Sequence, residues 1–257
     1  MQEMIYNQSI IRTTDMFEKT RKIIKYPRLT QDSPKRPVNT DHIIGKPVID
    51  NALCDGCGEC ITRCPSGAIH RDETTKTVEI NYNECVFCML CEEVCPLGAI
   101  RMTKEIYLAE RNLEEIGEEL RRKINKIFGR SLNIREVDSG SCNGCDYEIN
   151  ALNNPFVDIE RFGIHFVASP RHADMLLVTG TAVRNMEEAL LKTYNATPEP
   201  KLVVAVGACA CSGGIFKDTY ASGNGIKGVV PVDVFIPGCP PRPQAILHGI
   251  LKAISLP

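Results

Sequence analysis

The sequence predicts two modules of different class in one chain: a small α+β unit, then an α/β domain built on a doubly wound parallel sheet. Three observations point there. Two cysteine runs repeat with an offset of 31 residues. From about Leu132, apolar β-like runs alternate with helical patterns. The 257 residues exceed one average domain and fall short of two large ones. At 43% hydrophobic and 24% charged, the chain has material for a core and is not disordered. A formal net charge of -2 gives no electrostatic footprint for nucleic acid. No apolar run approaches the roughly 18 residues that span a bilayer. Met1-Gln2-Glu3-Met4 lacks the basic and apolar regions of a signal peptide.

The 13 cysteines are the unusual feature. An odd number excludes a complete disulfide framework. Cys54, Cys57, Cys60 and Cys64 read C-x2-C-x2-C-x3-C before Pro65, and Cys85, Cys88, Cys91 and Cys95 read the same before Pro96. This is the bacterial ferredoxin run, in which the fourth cysteine serves the other cluster. The expected sets are therefore Cys54, Cys57, Cys60 and Cys95 for one [4Fe-4S] cluster, and Cys64, Cys85, Cys88 and Cys91 for a second. Zinc favours two short ligand pairs far apart, often with His, which two Cys-Pro-terminated runs of four fit poorly. Cys64-Pro65-Ser66-Gly67-Ala68-Ile69 returns as Cys95-Pro96-Leu97-Gly98-Ala99-Ile100, which predicts a pseudo-two-fold unit.

Four segments follow in order. Residues 1–46 read as an arm: Asp15 with Glu18 starts a helix, Met16, Phe17, Ile23 and Ile24 share one face, Lys19, Arg21, Lys22, Lys25 and Arg28 make it basic, and Pro27 stops it. Two readings stand for it, a solvated arm packed on its own chain or a basic amphipathic helix resting on lipid or on a membrane-associated partner. Residues 47–103 are the two-cluster domain. Residues 104–131 read as a linker helix with a stripe of Leu113, Ile116, Leu120, Ile124 and Ile127. Residues 132–257 carry strands expected at Ile164–Val167, Met175–Val178, Leu202–Val206 and Val232–Ile236. Helices are expected between and after them, at Cys145–Leu152, Arg184–Tyr194 and Arg242–Ile254.

A third cysteine set lies in that last segment. Cys142 and Cys145 precede a helix, Cys209 follows a strand within Gly207-Ala208-Cys209, and Cys239 follows another within Pro237-Gly238-Cys239-Pro240-Pro241. A doubly wound sheet brings such strand ends to one edge, where four thiolates suit a third [4Fe-4S] cluster. Cys211 lies two residues from Cys209, and one cluster does not easily use both. Gly223-x-Gly225-x-x-Gly228 precedes a strand instead of following one, so it reads as a loop and not as a dinucleotide fingerprint. Asn7-Gln8-Ser9 and Asn195-Ala196-Thr197 match glycosylation sequons and carry no weight in a cytoplasmic protein. His42, His70, His165, His172 and His248 show no metal spacing.

Ser141-Cys142-Asn143-Gly144-Cys145-Asp146-Tyr147-Glu148-Ile149 resembles the cluster loop of small subunits of group 4, energy-converting [NiFe] hydrogenases. The resemblance extends through Glu160–Ile164, Ser169–Asp174, Gly207–Cys209, Ser212–Phe216, Pro231–Val234 and Pro237–Pro241, and covers residues 130–257. It is strongest to formate hydrogenlyase small subunits, within the complex I 20 kDa subunit family. Residues 15–103 resemble the separate ferredoxin-like subunit of the same complexes, so the chain is similar to the two subunits fused. The resemblance implies a flavodoxin-like fold for the second domain and Cys142, Cys145, Cys209 and Cys239 as ligands of the proximal cluster, with Cys211 unligated. Glu148 matches an acidic residue beside that cluster, either proton-linked or a helix N-terminal acid held by the dipole. Two residues separate Cys142 from Cys145, as in hydrogenases, whereas the corresponding cysteines of the complex I subunit are adjacent. The 18 residues after Cys239 are too few for the further cluster-binding region of respiratory uptake hydrogenases, a place the fused module is expected to take.

The implied function is an electron-transfer subunit of a membrane-bound hydrogenase complex, peripheral on the cytoplasmic side. Its implied partners are a [NiFe] large subunit, membrane subunits, and a ferredoxin or formate dehydrogenase donor. No catalytic residue is expected in this chain beyond the proton-linked reading of Glu148. The alternative within the same architecture is a quinone or sulfur reductase lacking nickel. A stand-alone ferredoxin-type carrier is the reading from another class, and a whole α/β domain around one edge cluster argues against it.

Overall fold

The computed structural model describes residues 42–73, 77–111 and 131–254, together with Arg21, Ile24, Lys25, Thr30 and Gln31. Most of the predicted arm helix and the whole Leu113–Ile127 stripe lie outside those residues. Arg21, Ile24 and Lys25 are helical and exposed. Gln31 lies on the second domain: its N–H donates to Phe156 O at 2.8 Å, and Gln244 Nε2 donates to its Oε1 at 3.0 Å.

The first domain is an α+β pair of repeats. It contains β1 (Pro47–Ile49), α1 (Glu59–Arg63), β2 (Ile69–Arg71), β3 (Val78–Ile80), α2 (Leu90–Glu93) and β4 (Ile100–Met102). β1 pairs antiparallel with β4, and β2 with β3. The sequence offset of 31 carries over to hydrogen bonds. Asp50 N donates to Ala99 O and Asn81 N to Ala68 O, both at 2.8 Å; Cys54 N reaches Asp50 O and Cys85 N reaches Asn81 O, both at 3.1 Å. The core is small, with Cys60, Ile69, Val78 and Ile100 buried and the thiols of Cys54, Cys64, Cys91 and Cys95 packed around them.

The second domain is a six-stranded sheet of order β5-β10-β9-β8-β6-β7. Its strands are β5 (Glu110–Arg111), β6 (Leu132–Asp138), β7 (Ile164–Phe166), β8 (Met175–Thr179), β9 (Leu202–Val206) and β10 (Val234–Ile236). The five from β6 onward are parallel, and their order is that of a flavodoxin-like doubly wound fold. β8 and β9 are buried along their whole length, and alternate residues feed two cores. Met175, Leu177, Leu202, Val204 and Val206 face one core; Leu176, Val178, Val203 and Ala205 face the other. The first core is covered by α3 (Gly144–Asn150) and α6 (Pro243–Ile254), the second by α4 (Arg184–Ala196) and α5 (Gly207–Ser212).

Two expectations need correction. Residues 104–111 are not the start of a helix: Ile106 and Ala109 are buried, and Glu110–Arg111 form β5, antiparallel to β10. β10 needs a partner for its outer N–H and C=O groups, and the segment entering the second domain supplies it. The last strand begins at Val234 rather than Val232, because the Asp233 carboxylate takes the Val203 N–H at 2.7 Å and delays the strand. Residues 223–228 form a loop.

Candidate iron–sulfur sites

Twelve of the thirteen cysteines stand in three groups, and none of the thirteen forms a disulfide. Cys54, Cys57, Cys60 and Cys95 line one cleft together with Ile49, Val78 and Leu97. Burial pushes the Cys60 thiol up, and the nearby Cys54 and Cys57 add to it. In the second group burial pushes Cys85 up to about 12, opposed by a backbone N–H from Phe87 at 3.4 Å and reinforced by Cys91, Cys64 and Cys88. Cys91 rises to about 11, again chiefly by burial.

The third group forms at the carboxyl ends of β6, β9 and β10. Burial raises the half-buried Cys145, and the charges of Cys209 and Cys239 raise it further. Cys209 rises to about 11 through burial, then through Cys239 and Cys142. Cys239 is raised by burial, then by Cys142 and by Cys88 of the first domain. Gly207, at φ 87°, sits where an added Cβ would lie 2.5 Å from Cys145 Sγ, so the β9–α5 turn is shaped to let a sulfur approach the backbone. Ala208 N donates to Gly238 O at 2.8 Å, tying the Cys209 and Cys239 loops together.

Four thiols stand near one another in each group, a donor set that suits an iron–sulfur cluster. Thiols this resistant to ionisation are stabilised as thiolates by a bound cation centre, so loading must release protons. Backbone N–H groups already aim at sulfur, with Ala99 N reaching Cys95 Sγ at 3.2 Å. Cys211 stands apart, buried in the second core with its Sγ toward Ala205 O.

Two features are not among the sequence expectations. The first is a carboxyl pair under the third group. Burial and the adjacent Asp146 push Glu136 up to about 7. Burial opposes the Asp146 charge, but Ser141 Oγ and, at 2.8 Å, Thr179 Oγ1 donate to it and hold its carboxyl below the usual range. The second is the junction between domains. Ser212 Oγ donates to Asn83 O at 3.0 Å, Lys217 Nζ pairs with Glu84 at 3.3 Å, and Phe87 and Glu105 share a cleft of about 270 Å³ with Glu148, Cys239 and Arg242. The 31-residue offset could have flagged it, because Phe87 stands opposite Gly56. Glu148 lies past the first turn of α3; its Oε1 is 3.7 Å from Arg242 Nη1, and burial raises it despite that cation.

A flavodoxin-like domain with cysteine loops at its carboxyl edge, preceded by a paired cysteine repeat, defines an iron–sulfur subunit of an oxidoreductase complex. The comparisons agree. A family model described as "NADH ubiquinone oxidoreductase, 20 Kd subunit" matches residues 142–253, and one described as "4Fe-4S dicluster domain" matches residues 37–99. The chain is 50% identical over 130 residues to "Probable membrane-bound hydrogenase subunit mbhJ" of Pyrococcus furiosus, covering 51% of this chain and 78% of that protein. It is 50% identical over 131 residues to "Formate hydrogenlyase subunit 7" of Escherichia coli, covering 51% of each chain. It is 53% identical over 108 residues to an NADH-quinone oxidoreductase subunit of Citrifermentans bemidjiense, covering 42% of this chain and 63% of that one. The chain belongs to the NADH ubiquinone oxidoreductase 20 Kd subunit family, with a 4Fe-4S dicluster domain joined ahead of it. No helix among the described residues is long and apolar enough to cross a membrane.

Proposed function

We propose that this chain relays electrons through three [4Fe-4S] clusters to the Ni–Fe site of a partner large subunit in a membrane-bound hydrogenase complex. Its donor is a ferredoxin or a formate dehydrogenase subunit, and it sits peripherally on the cytoplasmic side of the membrane. When bound, a [4Fe-4S] cluster stores one electron at a potential that ligands, hydrogen bonds and exposure set. Cys54, Cys57, Cys60 and Cys95 would hold the first. Cys64, Cys85, Cys88 and Cys91 would hold the second, and Cys142, Cys145, Cys209 and Cys239 the third.

The observation that carries this reading is the contact between the second and third sets. Phe87, the residue before Cys88, lines the same cleft as Cys239 at the domain junction, so the second set lies beside the third. At the sheet edge Cys142 is exposed, and Tyr147 beside it is 76% exposed, which suits a docked large subunit. Glu148 is the residue we assign to proton movement near that interface, with Arg242 fixing its carboxylate. The high identity to a quinone oxidoreductase subunit favours a second reading, a quinone or sulfur reductase without nickel.

Anaerobic purification with the native partners separates the two. Nickel together with hydrogen-dependent dye reduction is the expected result. An intact complex with neither would overturn the hydrogenase reading and transfer support to the second.

A further inference from the structure

The pseudo-two-fold of the first domain carries a charge asymmetry. The offset of 31 pairs Gly56 with Phe87, Arg71 with Met102 and Ile61 with Glu92. Arg71 ends β2 and Met102 ends β4, so the two stand at the same place in their halves. Arg71 Nη2 donates to Gly56 O, the carbonyl one residue before Cys57. Gly56 leaves room for the guanidinium: an added Cβ would lie 3.2 Å from Nη2. The second half has neither part, with a phenyl side chain in place of Gly56 and an uncharged thioether in place of Arg71.

The second half instead sets an anion beside its ligands. Glu92 directly follows Cys91 and is half-buried, and its Oε1 accepts the Met102 N–H at 3.0 Å. The carboxylate is thus held at the strand end where the first half places Arg71. Other charges on the two loops leave the contrast standing. Asp55 Oδ1 takes the Cys57 N–H at 2.9 Å, and Arg71 on the same loop offsets that charge. Glu84, before Cys85, is paired with Lys217 at 3.3 Å. Glu59 and Arg63 oppose each other in the first half, as Glu93 and Arg101 do in the second, and all four are exposed.

We infer that Arg71 and Glu92 hold the two ferredoxin-type clusters at different potentials, the Cys54/Cys57/Cys60/Cys95 site above the Cys64/Cys85/Cys88/Cys91 site. The inference rests on the cluster reading above. A [4Fe-4S] cluster gains one negative charge with each electron, so a cation on its ligand loop stabilises the reduced state and an anion beside it does the opposite. The Cys54 cluster is therefore reduced first. Asn83 and Glu84 tie the other half to the second domain, whereas their counterparts Ala52 and Leu53 are exposed. The first electron thus rests in the half away from the junction.

The test is a dithionite redox titration of the full, cluster-loaded chain, followed by electron paramagnetic resonance. Each signal is assigned to its site by its loss in Cys57→Ala or Cys88→Ala. In the wild type the Cys54 cluster should show the higher midpoint. Arg71→Met, which copies the other half, should lower that midpoint alone. Arg71→Lys keeps the charge and should keep the midpoint. Glu92→Gln keeps the acceptor for Met102 N and should raise the Cys64 cluster alone. The inference is overturned by the reverse order in the wild type, by the absence of either shift, or by an equal shift at all clusters. A fall in Arg71→Lys as large as in Arg71→Met would assign the effect to the Gly56 hydrogen bond and overturn it too. So would loss of about four irons in Arg71→Met, which would make the residue a structural clamp. A wild-type chain without the two ferredoxin-type signals would instead remove the cluster reading itself, before any variant is compared.

Discussion

Cys209 and Cys211 show how one residue step decides a ligand. Two positions on an α-helix are about 200° apart, so α5 presents these thiols on opposite sides. Cys209 meets Cys145 and Cys239, while Cys211 enters the core of Leu176, Val178 and Val203. Spacing alone could not choose between them, because either thiol follows β9 at a plausible distance; the phase of the short helix was needed, and Gly207-Ala208 gives no period to read. Cys209→Ala should therefore lower iron from about twelve to about eight per chain and remove one paramagnetic signal. Cys211→Ala should keep all the iron and cost about 1 kcal/mol, the ordinary loss for a small core truncation. Loss of the third signal in Cys211→Ala would reverse the assignment. The two ferredoxin-type sets could be proposed residue by residue, because three of the four cysteines of each stand in one short run. Phe87 stands out in the sequence only when the two halves are set against each other, because the offset of 31 places it opposite Gly56.

Elements were legible where they are buried without interruption, whereas β6, seven residues long with buried and half-buried positions mixed, was not among the expected strands. The apolar runs MLLV and LVVAV announced β8 and β9, and the termini of α6 matched its pattern to one residue. The strands β1 to β4 are three residues each, too short for a period-2 signal, and only their 31-residue repetition exposes them in retrospect. β5 has two residues and could not be read at all. α6 also carries a packing demand that its sequence hides. Gly249 faces β10, where an added Cβ would collide with the Ile236 side chain and lie 3.2 Å from Ala109 Cβ. Gly249→Ala gains about 1 kcal/mol of helix propensity. Overpacking a dense core costs about 1–3 kcal/mol, and Ile236 is 1% exposed with little room to move. The cost should win. A chemical denaturation midpoint below wild type is expected, and an increased midpoint would show that the helix–strand contact yields more than its packing suggests.

At the scale of the whole molecule the two domains differ in what holds them together. The flavodoxin-like domain buries nineteen residues in one core and twelve in the other. The core cluster of the ferredoxin-like domain has four, with the small side chains of Ala68 and Ala99 buried besides, and the side chains packed around those four include Cys54, Cys64, Cys91 and Cys95. A unit of this size with so small an apolar core needs a further cross-link to stay folded. Among the described residues, the polar ties to its neighbour include a hydroxyl bond and a Lys217–Glu84 pair, the pair worth under about 1 kcal/mol. Cluster binding must therefore supply much of its folding free energy, as metal binding does in other small metal-dependent domains. Oxidative cluster loss followed by chelation should unfold residues 47–103 and leave the sheet of β6 to β10 intact. Limited proteolysis should then cut first between Pro47 and Thr103, and calorimetry should retain the main transition while losing the component that vanishes with iron. If the stripped chain instead stays protected across β1 to β4, the four buried residues and the junction suffice by themselves. The clusters would then carry electrons without holding the fold.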